Sequence, residues 1–169
     1  QELRIQQIHE DLKLKNELLK ESEDRYHRMV AEVEDYVIIF LDPQGYILNW
    51  NKGVQKIKGY TADEIIGQHF SVFYTEEDRR LGRHEQILQE AMNNGKAVHE
   101  GWRQRKDKTT FWGSVVMTAI HDSDGKLIGY SKVTRDLTER KIADERLLAW
   151  SEALHRKNKE LERMNEELS

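Results

Sequence analysis

Seven histidines and 31 carboxylates are the groups of this chain best able to hold a metal or move a proton, and none of its 169 residues is cysteine. Without thiols there is no disulfide framework, no thiolate metal site and no cysteine nucleophile. His99 and His121 could face each other on neighbouring strands. A zinc-type site needs a third ligand from a defined position, and none is offered, so no metal is expected. Nucleophilic catalysis needs Ser, His and Asp side chains converging in loops, yet no Gly-x-Ser-x-Gly, Walker loop or His-Glu-x-x-His segment occurs. The carboxylates fall mostly at i,i+4 spacings on helical stretches, as solvated faces do. No catalytic residue is expected, and the chain is read as no enzyme in its own right. One carboxylate stands apart. Asp136 precedes a helix N-terminus, where it can accept backbone N–H bonds and meet the helix dipole favourably, and Arg140 could reach back to it across one turn.

The elements that must position these groups change character along the chain. Charged residues make up 34% of it and its mean hydropathy is −0.84, too polar for one compact globule of this length. The charge is gathered at the two ends. In the first segment Ile5, Ile8, Leu12, Lys15, Leu19, Ser22, Tyr26 and Met29 alternate at spacings of three and four. In the last, Leu147, Trp150, Leu154, Lys157, Leu161, Met164 and Leu168 do the same more cleanly. These narrow two-per-seven stripes suit a partner helix better than the flank of a globule, so intermolecular coiled coils are expected. Residues 1–30 are read as the first such helix, 31–137 as a folded domain and 138–169 as the second helix. The net charge of −4 is mild and the signs are interleaved, so nucleic acid is not an expected partner. The longest apolar run, Tyr36 to Leu41, is too short to span a bilayer, and no signal peptide is visible. Gln1 is not a natural start, so the chain is expected to be a segment of a longer protein, cytoplasmic here although the parent could carry an anchor.

Within the folded part, Tyr36–Leu41 reads as a buried strand, Asp42-Pro43-Gln44-Gly45 as a turn and Tyr46–Asn49 as the returning strand. Asn51–Lys58 is a short helix stopped by Gly59. Thr61 and Glu64 form a capping box, and Thr75 caps a longer helix that runs to Asn93-Asn94-Gly95. Three strands follow: Val98–Lys106, Thr109–His121 and Leu127–Arg135. On the middle one, Phe111, Gly113, Val115, Met117 and Ala119 share one face, and Trp112, Ser114, Val116, Thr118 and Ile120 share the other. Both faces are largely apolar, so the N-terminal helix or a second subunit should cover the outer one.

The residues in this order resemble a known family. Leu41-Asp42-x-x-Gly45-x-Ile47-x-x-x-Asn51, Gly59-Tyr60-Thr61-x-x-Glu64-x-x-Gly67, Phe73-Tyr74-Thr75-x-Glu77-Asp78, Arg105-Lys106-Asp107-x-Thr109 and Asp136-Leu137-Thr138-Glu139-Arg140-Lys141 are similar to successive motifs of PAS domains. The resemblance implies an α+β PAS fold, with a five-stranded antiparallel sheet, short helices on one face and a coiled-coil helix on each side. Lys108 departs from the pattern, which usually has Gly there, and implies a left-handed residue or another turn type.

The resemblance also bears on ligands, partners and the route of a signal. His84, Trp102, Phe73 and Met117 are the candidate pocket residues. In haem-binding PAS domains a histidine on the long helix ligates iron, and His84 lies on the matching segment, though its charged neighbours read as a solvated helix face. Non-covalent flavin is the other cofactor considered, from the likeness of Trp102 and Arg105–Thr109 to flavin-binding redox PAS domains. The photoreceptor branch needs a cysteine that Gly67-Gln68-His69-Phe70-Ser71 lacks. No cofactor is expected on balance. His9-Glu10-Asp11 superficially suits a phosphoacceptor site but lacks its flanking residues. By resemblance, Asp136, Thr138 and Arg140 relay a signal from the last strand into the last helix. The expected function is a sensory, relay and dimerisation module, pairing as a parallel homodimer. It would act on a covalently attached output domain, a histidine kinase before a diguanylate cyclase. An unliganded spacer, or a haem- or flavin-based redox or gas sensor, is the alternative.

Overall fold

The computed structural model describes all 169 residues. Helix α1 (Glu2–Ala31) leads to strand β1 (Val37–Leu41). A π-helical turn (Val54–Lys58), helix α2 (Ala62–Ile65), a 3-10 turn (Phe70–Phe73) and helices α3 (Glu76–Arg80) and α4 (Arg83–Asn94) follow. Strands β2 (Lys96–Gln104), β3 (Thr110–His121) and β4 (Leu127–Asp136) then lead into helix α5 (Thr138–Leu168). The sheet is antiparallel throughout, in the order β1-β4-β3-β2.

The sheet has four strands where five were expected, and the reason lies in two asparagines. The Tyr46–Asn49 stretch meets β1 only through an isolated bridge between Leu41 and Ile47, and Tyr46 bridges to His69 instead. Further along the β1 edge, side chains do what a strand would have done. The Phe40 N–H donates to Asn49 Oδ1 at 2.6 Å, the Ile38 N–H to Asn51 Oδ1 at 3.2 Å, and Asn49 Nδ2 donates to the Ile38 carbonyl. The edge is satisfied without a ladder.

The expected long helix from Thr75 is likewise divided. Gly82 adopts φ +70°, a left-handed conformation that ends α3 and starts α4. Local signals elsewhere hold: the Thr61 N–H donates to Glu64 Oε1, the Asp78 N–H to Thr75 Oγ1, and Lys108 takes φ +72° in the hairpin.

Period two decides the inner face of the sheet. Val37, Ile39 and Leu41 of β1, Phe111, Val115 and Met117 of β3 and Tyr130 of β4 point into one core. Val54, Ile65, Phe70, Phe73 and Ile87 from the helical segments close over it. The outer face is differently treated. Helix α1 has no buried residue and leaves Val98 and Ile128 more than half exposed, so of the two covers anticipated for this face the helix is not one. Helix α5 also buries no residue, and the seam residues Leu12, Leu19, Leu154 and Leu161 are all exposed. No helix is long and apolar enough to cross a membrane.

Candidate functional site

Three cations lie among the apolar residues of the core. Lys58 and Lys132 are fully buried and Arg103 is 3% exposed, while no carboxylate is buried anywhere in the chain. Lys58 ends the π-helical turn. Lys132 occupies an inward position of β4, two residues from the equally buried Tyr130 and Thr134, so the strand's period leaves it no route to water. Arg103 enters from β2, and glycine makes room for it: a Cβ on Gly113 would stand 3.3 Å from Arg103 Cγ and 3.4 Å from Thr134 Cγ2.

Aromatic faces take the place of counter-ions. Lys58 Nζ lies 3.4 Å and Lys132 Nζ 4.9 Å from the centre of the Phe73 ring, and the Arg103 guanidinium lies 4.1 Å from that of Tyr74. Hydrogen bonding is incomplete. Lys132 donates to Thr134 Oγ1 at 3.1 Å and Arg103 Nη1 to the Trp102 carbonyl at 3.0 Å. Lys58 Nζ, Arg103 Nε and the Tyr74 hydroxyl have no partner. Burial, followed by the charges of Lys132 and Arg103, holds Lys58 well below the usual lysine range. Burial and then Arg103 push Lys132 down to about 7.

A second polar cluster joins the sheet to α5. Asp136 Oδ1 accepts the Thr138 N–H at 2.9 Å and its hydroxyl at 2.6 Å. Thr138 Oγ1 in turn accepts the Trp112 N–H at 3.0 Å, and the Leu137 N–H donates to the Trp112 carbonyl at 2.7 Å. The first turn of α5 is thereby tied to β3. Arg105 completes the joint. Its Nε donates to the Ile57 carbonyl and its Nη1 to the Thr110 carbonyl, while Nη2 stands 3.5 Å from Asp136 Oδ2. One turn further, Lys141 lies 3.8 Å from the centre of the Trp112 ring.

Comparison with known proteins names the arrangement. Residues 34–139 match the family model described as the PAS domain. The chain belongs to the PAS domain family. It is 44% identical over 126 residues, 75% of its length, to two-component system protein A of Emericella nidulans. It is 22% identical over 142 residues, 84% of its length, to sporulation kinase C of Bacillus subtilis. The chain spans only 18% and 32% of the lengths of these two relatives. Among solved structures, a PAS domain from Colwellia psychrerythraea superposes with a TM-score of 0.62 at 23% identity, covering 68% of this chain and 97% of that one. An RNA-binding light-oxygen-voltage receptor gives 0.64 at 19% identity, over 80% of this chain and 38% of the other. At those identities the structural likeness shows the PAS fold.

Of the four pocket residues read from the sequence, this PAS domain places Phe73 and Met117 in the core beside the cations. Trp102 is on the outer face, 43% exposed and packed edge-on against Trp112, because its parity in β2 is opposite to that of Arg103. His84 is not the solvated histidine that its charged neighbours suggested. Its side chain is 14% exposed, it packs against the rings of His69, Phe70 and Tyr74, and burial lowers its pKa. His99 and His121 do not meet: His99 bonds Glu90 at 2.8 Å, and His121 pairs with Leu127 at the far end of β3. Arg140 is exposed and makes no ion pair with Asp136, whose partner is Arg105. Lys58, Arg103 and Lys132 escape a reading by residue type, since Lys and Arg normally mark solvent. The parity of Lys132 with Tyr130 and Thr134 was the one signal available for it.

Proposed function

We propose that this PAS domain is a sensory and relay module, with no chemistry of its own, that pairs with a second copy through its flanking helices. It passes a change in its core to an output domain of the parent protein, a histidine kinase. The observation that carries the proposal is the exit joint. Leu137 alone separates β4 from α5, and Asp136, Thr138, Trp112 and Arg105 tie the two together. Lys132 in the core and Asp136 at the joint belong to the same strand, so a displacement of β4 carries directly to the start of the helix. The exposed seams of α1 and α5 support pairing, because a single amphipathic helix is marginal in water until its apolar stripe is buried. The relatives named as a two-component protein and a sporulation kinase support the choice of output.

The test is Asp136→Ala in the full-length parent. The isolated domain should lose about 1 kcal/mol, the cost of a helix cap, and keep its dimeric mass in light scattering. In the parent, kinase output should become fixed, either on or off. A variant that answers its input like wild type would reduce Asp136 to a cap and end the relay proposal.

A further inference from the structure

We propose that the core of this domain is a binding site for a small organic carboxylate, held between Lys58, Arg103 and Lys132 against the rings of Phe73 and Tyr74. The inference rests on the reading of the domain as a sensory module and supplies the class of ligand sensed.

Charge and geometry point the same way. Buried cations are ordinarily paired with carboxylates, yet every buried charged side chain here is positive. Asp78, whose charge acts on Tyr74, is 20% exposed and faces Arg83 at 3.4 Å. Three donors, Lys58 Nζ, Arg103 Nε and the Tyr74 hydroxyl, are buried without an acceptor. An isolated orphan could be a local imperfection. Three of them, on elements that converge on neighbouring aromatic residues, amount to an unfilled demand for one acceptor group. A carboxylate has two oxygens and about four lone-pair directions, enough for the orphaned donors and Lys132 together.

The walls select an organic acid over a mineral anion. Ile39, Lys132 and Met117 are register partners across the inner face, so Lys132 is flanked by apolar side chains, with the Phe73 ring close to its amino group. Phosphate sites are commonly built from helix N-termini or nests of backbone N–H groups, whereas the donors that define this site, Lys58 Nζ, Arg103 Nε and the Tyr74 hydroxyl, belong to side chains. The anion would draw Lys58 and Lys132 off the Phe73 face. Lys132 lies on the strand that ends at Asp136, and Arg103 lies two residues before Arg105, so the site and the exit joint share two connections.

The test is calorimetric titration and thermal denaturation of the complete chain with sodium acetate, sodium succinate and sodium phosphate, against sodium chloride of equal ionic strength. Acetate or succinate should bind and raise Tm above the chloride control. Lys132→Met and Lys58→Met should each weaken that binding at least about tenfold, the loss of one charge-assisted hydrogen bond. Both variants should fold without ligand, since each replaces a buried unpaired cation by a side chain of similar length. Should either fail to fold, the lysine 13Cε resonances of the wild-type chain provide the second readout. Adding acetate at pH 8 should move those of Lys58 and Lys132 towards the protonated position. Three results overturn the proposal: no response to either carboxylate beyond chloride, an undiminished response in Lys132→Met, or tighter binding of phosphate than of both acids. Carboxylate binding in an Asp136→Ala chain should equal wild type, so a failure of the site and a failure of the relay are read separately.

Discussion

Two polar clusters share the core of this PAS domain, and they are treated in opposite ways. Asn51 is fully buried and fully employed: Oδ1 accepts the Ile38 N–H, and Nδ2 donates to the Val33 and Tyr36 carbonyls at 3.1 and 2.8 Å. One side chain thereby fastens the segment after α1 to the edge of β1. The cationic cluster beside Phe73 and Tyr74 is just as buried, but two of its three members carry an orphaned donor. Nearly all buried polar groups in folded proteins are satisfied, and the exceptions gather where function requires them. The contrast separates polar groups that build the fold from those that cost stability and are kept for another use.

The largest effect should come from the satisfied cluster. Asn51→Ala removes three hydrogen bonds at once and leaves the Ile38 N–H and the Tyr36 carbonyl without their partner, while the Val33 carbonyl keeps the Gly53 N–H. At about 1 kcal/mol for each bond, the domain should lose about 3 kcal/mol, measured as a shift in the urea midpoint. A loss under 1 kcal/mol would erase the distinction between the clusters.

What the sequence disclosed follows the same division. The Asp42–Gly45 turn and the Thr61–Glu64 box are settled by residues within a few positions of one another, and each was legible, whereas at Lys108 the sequence left a left-handed residue and another turn type open and the fold takes the first. The missing fifth strand was not legible, because it depends on Asn49 and Asn51 side chains reaching back across more than ten positions of chain to Ile38. The cations were hidden for a different reason. Burying a lysine is unfavourable, so residue type argued for the surface and outweighed the parity of Lys132 with Tyr130 and Thr134, and the fold reveals that the inward positions of β2 and β4 hold Arg103 and Lys132. His84 was misread in the same direction, since its charged sequence neighbours say nothing about the ring of Tyr74 packed on it from another segment.

The open cluster predicts an unusual dependence on pH. Lys132 titrates near 7 in the folded chain against an ordinary value of 10.5, and Lys58 is depressed as well. Between those limits the unfolded chain binds more protons than the folded one, so stability should rise with pH from about 7 towards 10. Below about 7 the penalty is fully present. With Lys132 titrating alone, in a Lys58→Met chain, the rise over two pH units is worth on the order of 2 kcal/mol, less than the effect at Asn51, and Lys58 adds to it in the same direction in the wild-type chain. Urea midpoints at pH 7 and pH 9 measure it, and the rise should flatten in a Lys58→Met, Lys132→Met double variant. A flat profile in the wild-type chain would mean that these amines are solvated or paired, and the contrast with Asn51 would go with them.

The smallest effects should come from the two arginines that compete for Asp136. Helical spacing places Arg140 one turn after the carboxylate, a geometry worth a few tenths of a kcal/mol at an exposed position. The fold brings Arg105 instead, from a position 31 residues away, with its guanidinium already oriented by the Ile57 and Thr110 carbonyls. An arginine held in this way spends little further entropy on meeting the carboxylate, and it joins the π-helical turn, the hairpin after β2 and the end of β4 in one network. Asp136 also needs no charge from α5 to cap it, since its Oδ1 is taken by Thr138. Arg105→Ala should therefore cost about 1 kcal/mol, less per bond than at Asn51 because water can replace the part-exposed bonds to the Ile57 and Thr110 carbonyls and the partly exposed ion pair. Arg140→Ala should stay within about 0.5 kcal/mol of wild type. Paired urea denaturations of the two variants decide between the partners. Equal losses, or a larger loss at Arg140, would place the partner of Asp136 on the helix, and the joint would belong to α5 rather than to the sheet.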